Sequence, residues 1–211
     1  MPHTIRQASP SDARAIARVH VDSWRWTYAG TIPAASLAAL SVDERAEAWR
    51  AMLETKPRSV RIWVAETGPE GAGRKPEIIG FAQAGPSRDG GADQTCSIVQ
   101  GDLQADLLSQ RTTALPSSEP GEDPDVGELF AIYLQPDVVE RGVGKALMAK
   151  AEQFLHDEPY IEATLWVLDT NERARRFYES LGWQPDGATQ DEPGLGYTMH
   201  EVRYRKSLQP A

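Results

Sequence analysis

Gly142 and Gly144, two glycines one residue apart, mark where this chain can do chemistry. They close the run 126–144, VGELFAIYLQPDVVERGVG, which reads as a strand, a short loop and a glycine-flanked helix start. Glycines let the backbone turn sharply and leave amide N–H groups uncovered at the positive end of a helix, which makes an anion site. Arg141 and Lys145 flank it with positive charge, and Glu128 sits on the strand that feeds it. A strand that sets a carboxylate near such a helix start points to an enzyme using a phosphate-bearing cofactor. A dinucleotide fingerprint fits poorly. Gly142-x-Gly144-x-x-Leu147 lacks the third glycine, and a loop separates strand from glycine.

These residues need elements to hold them. Strict alternation along the strand puts Leu129, Ala131 and Tyr133 on one face and Glu128, Phe130 and Ile132 on the other. The helix continues as Val143, Leu147, Ala151, Phe154 and Leu155. Upstream, Thr4 to Gln7 reads as a strand, and Ser9-Pro10-Ser11-Asp12 as a helix start with a capping box. Ile16, Val19, His20, Ser23 and Trp24 share a face of the helix that follows. Pro33 to Leu40 reads as a short helical piece, and Ser41 to Glu44 as a second capping box before Ala46, Trp49, Met52 and Leu53. Val60 to Ala65 and Ile78 to Ala84 form a hairpin with a Gly/Pro-rich tip. Ala163 to Leu168 is a buried strand. Asn171 caps a helix with Ala174, Phe177, Tyr178 and Leu181 inside, ended by Gly182, and Tyr197 to Tyr204 is a last strand. The result is an α/β fold around a mixed sheet.

Two segments carry a family resemblance: the strand–glycine–helix unit from Glu128 to Leu147, and Asn171 to Trp183, NERARRFYESLGW. The second has an Asn, an Ala three residues on, a Tyr four further, and a Gly followed by an aromatic. Both in order resemble the GNAT superfamily of acetyl-CoA-dependent N-acetyltransferases, and the element order is similar over nearly the whole chain. The resemblance implies a single-domain fold, a central twisted mixed sheet flanked by about four helices. It implies acetyl-CoA as acyl donor, no metal, and direct attack of a primary amine on the thioester. The amides of Val139, Glu140, Arg141, Gly142, Val143 and Gly144 would hold the pyrophosphate, with Arg141 and Lys145 adding charge. Val139 departs from the family, which has Gln or Arg there.

By the same resemblance Tyr178 assists the leaving thiolate, Asn171 lies beside the pantetheine arm, and Glu128 is the candidate base. An amide at Ile132, Tyr133 or Leu134 would receive the developing oxyanion. Trp24 and Tyr28 are the candidate acceptor-binding aromatics, with Trp26 pointing elsewhere, and core packing is their competing role. Two rival readings stay open: a non-catalytic acyl-CoA-binding or regulatory module on the same fold, and an acyltransferase for a larger acyl group.

Composition bounds the rest. A chain of 211 residues buries a full core and is expected as one domain, 1–211, with a polar insertion at about 85–125. The net charge of −9 argues against nucleic acid and anionic lipid as partners. It suits a cationic small-molecule or peptide amine, and a homodimer is compatible with it. No apolar run spans a bilayer, and the one cysteine, Cys96, suits a reducing cytoplasmic setting. The histidines show no metal-ligand spacing.

Overall fold

Ser9 begins the first helical region as its spacing predicts. The Asp12 carboxylate accepts from the Ser9 N–H at 2.7 Å and from Ser9 Oγ at 2.9 Å, after β1 (His3–Gln7). α1 (Ala13–Thr27) then buries Ile16, Val19, His20, Ser23 and Trp24. α2 (Ala34–Ala39) and α3 (Val42–Thr55) follow, the latter started by Ser41 Oγ accepting from the Glu44 N–H at 3.3 Å. Next come β2 (Arg61–Thr67), β3 (Ile78–Pro86), β4 (Val126–Leu134), α4 (Val143–Asp157), β5 (Glu162–Leu168), α5 (Glu172–Glu179), β6 (Gln184–Gly194) and β7 (Tyr197–Ser207). The computed structural model describes residues 2–55, 59–68, 76–89, 125–194 and 197–209. The hairpin tip at 69–75, most of the expected insertion (90–124) and Cys96 lie outside the described residues.

The seven strands of the described residues form one sheet, in the order β1-β2-β3-β4-β5-β7-β6. Only β4 and β5 run parallel, and they pair for just three positions, the last being Glu128 with Thr164. Beyond that point they separate. α1 and α3 cover one face of the β1–β4 half, through Ile16, Trp49, Val64 and Phe81. α4 covers the other, through Val143 and Leu147 against Ala65 and Ala82.

One expectation is corrected. The last strand is preceded by a further strand, β6. Its sequence, QPDGATQDEPG, carries two prolines and no apolar alternation, which hides an edge strand. The alternation along β4 also breaks. Gln83 pairs with Ala131 but Ala84 pairs with Leu129, so Phe130 is an extra residue, a β-bulge. Leu129 therefore packs with Met148 and Leu155 on the α4 side, whereas Ala131 lies with Ile16 and Phe81 on the other.

Candidate active site

The separation of β4 from β5 is the centre of the site, and backbone direction decides what it exposes. The Gln135 N–H donates to Ile79 O at 2.8 Å, so Gln135 faces β3. In an antiparallel pair, successive residues turn their N–H and C=O groups to opposite sides. Tyr133 therefore also points its amide at β3, while Ile132 and Leu134 point theirs into the gap that β5 leaves. Of the three expected oxyanion donors, Tyr133 is thus misplaced as an amide donor, because strand parity sends its N–H the other way. The bulge at Phe130 sits just where pairing with β5 ends.

At the end of β4 a 3₁₀ turn, Pro136–Val138, leads into the loop before α4. Glu140 (φ 63°) and Gly142 (φ 84°) both adopt left-handed backbone, the second directly preceding the helix. Such turns gather N–H groups into a concavity, here at the N-terminus of a 15-residue helix. Gly144 is different. It lies in the first helical turn, and a Cβ there would meet Leu134 and Phe177 at 3.4–3.7 Å, an ordinary contact. The left-handed conformation that requires glycine belongs to Gly142.

A cavity of about 530 Å³ opens between these parts. Ile132, Tyr133, Leu134, Val139, Glu140, Gly142, Gly144, Lys145, Asn171, Tyr178, Trp24 and Tyr28 all line it, whereas Arg141, Val143 and Glu128 do not. Val143 instead turns its side chain into the core. Asn171 caps α5, its Oδ1 accepting from the Ala174 N–H at 3.2 Å, and lines the cavity as well. Burial in an aromatic setting, with Tyr133 nearby, holds the Tyr178 phenol neutral, its pKa raised well above the ordinary value. Trp24 and Tyr28 meet edge to face at 5.0 Å, and His20 stacks on Tyr133 at 5.2 Å. Trp26, expected to point away, also lines the cavity. It is 42% exposed and carries the Arg173 guanidinium 3.8 Å above its ring.

Glu128 is fully buried and engaged. Its carboxylate accepts from the Arg88 N–H at 2.9 Å, from Arg88 Nε at 3.1 Å and from Arg88 Nη2. The same guanidinium lies 4.8 Å from the Phe130 ring, over the bulge. Among the lining residues that sequence reasoning did not single out is Glu201, a buried carboxylate on β7.

The chain is similar to known proteins in sequence and in fold. The pattern of the Acetyltransferase (GNAT) family matches residues 21–183. An uncharacterized N-acetyltransferase, YuaI, of Bacillus subtilis (strain 168) is 31% identical over 201 residues, covering 94% of this chain and 90% of its own. PaiA N-acetyltransferase from Thermoplasma acidophilum, solved in complex with coenzyme A, superposes with a TM-score of 0.61 at 20% identity, over 98% of this chain and 99% of its own. YncA, a putative acetyltransferase from Salmonella typhimurium solved with acetyl-CoA, gives 0.60 at 15% identity, over 100% and 96%. At those identities the two structures bear on the fold.

Proposed function

Because the chain belongs to the GNAT family of acetyltransferases and is an acyl-CoA-dependent N-acetyltransferase, we propose that it moves the acetyl group of acetyl-CoA to a primary amine by direct attack in a ternary complex. One observation carries this reading. The gap between β4 and β5 runs from the left-handed loop at Gly142 to the Tyr178 phenol, within a single cavity.

Each part has a chemical task. The loop from Val139 to Gly144 presents amides to the pyrophosphate, with Lys145 beside it and Arg141 outside the cavity lining. The amides of Ile132 and Leu134 face the gap. There they can hold the pantetheine arm and receive the charge that develops on the thioester oxygen. Asn171 flanks the arm where α5 begins. Tyr178, held neutral, donates its proton to the departing sulfur. Trp24, Tyr28 and Trp26 form the acceptor wall, where ring faces favour a cation.

The test is release of free CoA thiol from acetyl-CoA over a panel of amines, with a Tyr178→Phe variant alongside. The expected result is turnover by the wild type and, in the variant, a loss of about 10²–10⁴-fold in kcat with acetyl-CoA affinity retained. Binding without thiol release from any amine would favour a non-catalytic module. Preference for a longer acyl-CoA would favour the larger acyl group. A loss below about threefold, with chemistry rate-limiting, would return Tyr178 to packing.

A further inference from the structure

An alkylammonium cannot attack a thioester until it loses a proton. With an amine pKa near 10.4, only about one molecule in 10³ is neutral at pH 7. A group that accepts this proton must face the acceptor. Glu128 does not line the cavity and is held by Arg88. Among the described residues the lining holds two carboxylates, Glu140 and Glu201. Glu140 is exposed on the anion-binding loop.

Glu201 lies within. It is 4% exposed, and its Oε2 accepts from Gln190 Nε2 at 2.7 Å, across from β6. On the other side β7 pairs it with Leu168, the last residue of β5, at the open end of the gap. Its charge reaches the Tyr28 and Tyr133 phenols, and Tyr28 is in electrostatic reach of Tyr178 as well. Among the described residues, the charged and titratable groups around this cluster include His20 from α1, Tyr28 directly after it, Arg45 from α3, Tyr133 from β4, and Arg173, Arg176 and Tyr178 from α5. A carboxylate under a wall of aromatic rings is a site for an ammonium ion.

Resting on the amine-acetylation reading above, we propose that Glu201, not Glu128, binds the acceptor ammonium and takes its proton. The balance is complete. One ammonium proton passes to the Glu201 carboxylate, and the neutral amine attacks the thioester carbon. The C–N bond forms and the C–S bond breaks. Tyr178 gives its proton to sulfur and regains one from the new amide nitrogen, and Glu201 releases its proton to solvent.

The experiment compares wild type and Glu201→Gln with one alkylamine acceptor from pH 6 to pH 10, together with acetyl-CoA affinity by calorimetry. The expected result is a loss in kcat/KM of about 10²-fold or more at pH 7. That loss shrinks to below about tenfold at pH 10, where free amine is abundant, and acetyl-CoA affinity stays unchanged. A loss equal at every pH, or below about threefold at pH 7, overturns the inference and leaves amine acetylation standing. A wild type that releases no thiol with any amine overturns both. If Glu201→Gln lacks a folded thermal transition, Glu201→Asp carries the test, since it keeps the charge and an acceptor for Gln190. The expected result is then a loss below about tenfold with the wild-type pH profile. A folded Asp variant that loses more than about tenfold at every pH overturns the proposal.

Discussion

Glu128 accepts three hydrogen bonds from one residue, Arg88, 40 positions upstream. Such a carboxylate ties the end of β3 to the start of β4 and fixes the guanidinium over the Phe130 bulge. We read it as a positioning residue. Glu128→Gln removes the charge and points an amide N–H₂ toward donors. The expected cost is about 1.5–3 kcal/mol, a fall of roughly 3–10 °C in Tm for a chain of this size. The pH–rate profile should keep its shape. A variant of unchanged Tm whose rate falls mainly at low pH would give the base role back to Glu128. The sequence shows why this residue attracts a catalytic reading, since its spacing from Gly142 fits the family. It gives no sign of Arg88, because that contact exists only once β3 lies beside β4. Glu201 is hidden for the same reason. In MHEVRYRK it is one of several alternating polar residues, and its place at the cavity depends on β7 entering the sheet between β5 and β6.

At the level of elements, the helix starts were legible because short-range chemistry sets them. Ser9 with Asp12, Ser41 with Glu44, and Asn171 with Ala174 make the contacts their spacing predicts. The bulge was not legible, since nothing in GELFAIY distinguishes an inserted residue from a regular one. The loop before α4 lies between these cases. Two glycines signalled it, but only the fold separates their tasks. Gly142 needs left-handed backbone, whereas Gly144 is helical with room for a methyl group. An L-residue forced into the left-handed region costs about 1–2 kcal/mol. Relieving that strain would turn the loop amides away from a shared anion. Gly142→Ala should therefore weaken acetyl-CoA binding by about tenfold, while Gly144→Ala should change it by less than about threefold, both read by calorimetry. The reverse order would mean that the conformation at Gly142 does not organise the anion site.

The whole sheet is closed off at its two edges by carboxylate–arginine clusters, and both make the molecule sensitive to acid. At the β1 edge, Arg6 binds Asp12 through two nitrogens at 2.7 and 2.9 Å and reaches Glu66 on β2 at 3.0 Å. At the β6 edge, Asp186 takes the Ala188 N–H and the guanidinium groups of Arg203 and Arg205, across the irregular register between Pro185 and Thr189. Burial alone would raise the pKa of both aspartates. The hydrogen bonds outweigh it, from Arg6 and Ser9 to Asp12 and from Ala188, Arg205 and Arg203 to Asp186, so each ends below its ordinary value. The sign follows from linkage. A carboxylate whose folded pKa is depressed contributes stability that is fully present above its unfolded value of about 3.9 and is lost as pH falls through the lower folded value. Asp12 is the more informative probe because it also holds the start of α1. Asp12→Asn should lower Tm at pH 7 by roughly 2–8 °C, from a loss of about 1–2 kcal/mol discounted for the partly exposed Arg6. The gap between variant and wild type should narrow below about pH 4, as the wild type protonates Asp12 and loses the same contribution. The measurement is Tm against pH for both proteins. Parallel curves from pH 7 to the acid limit would show that the Asp12 charge contributes nothing to closing that edge.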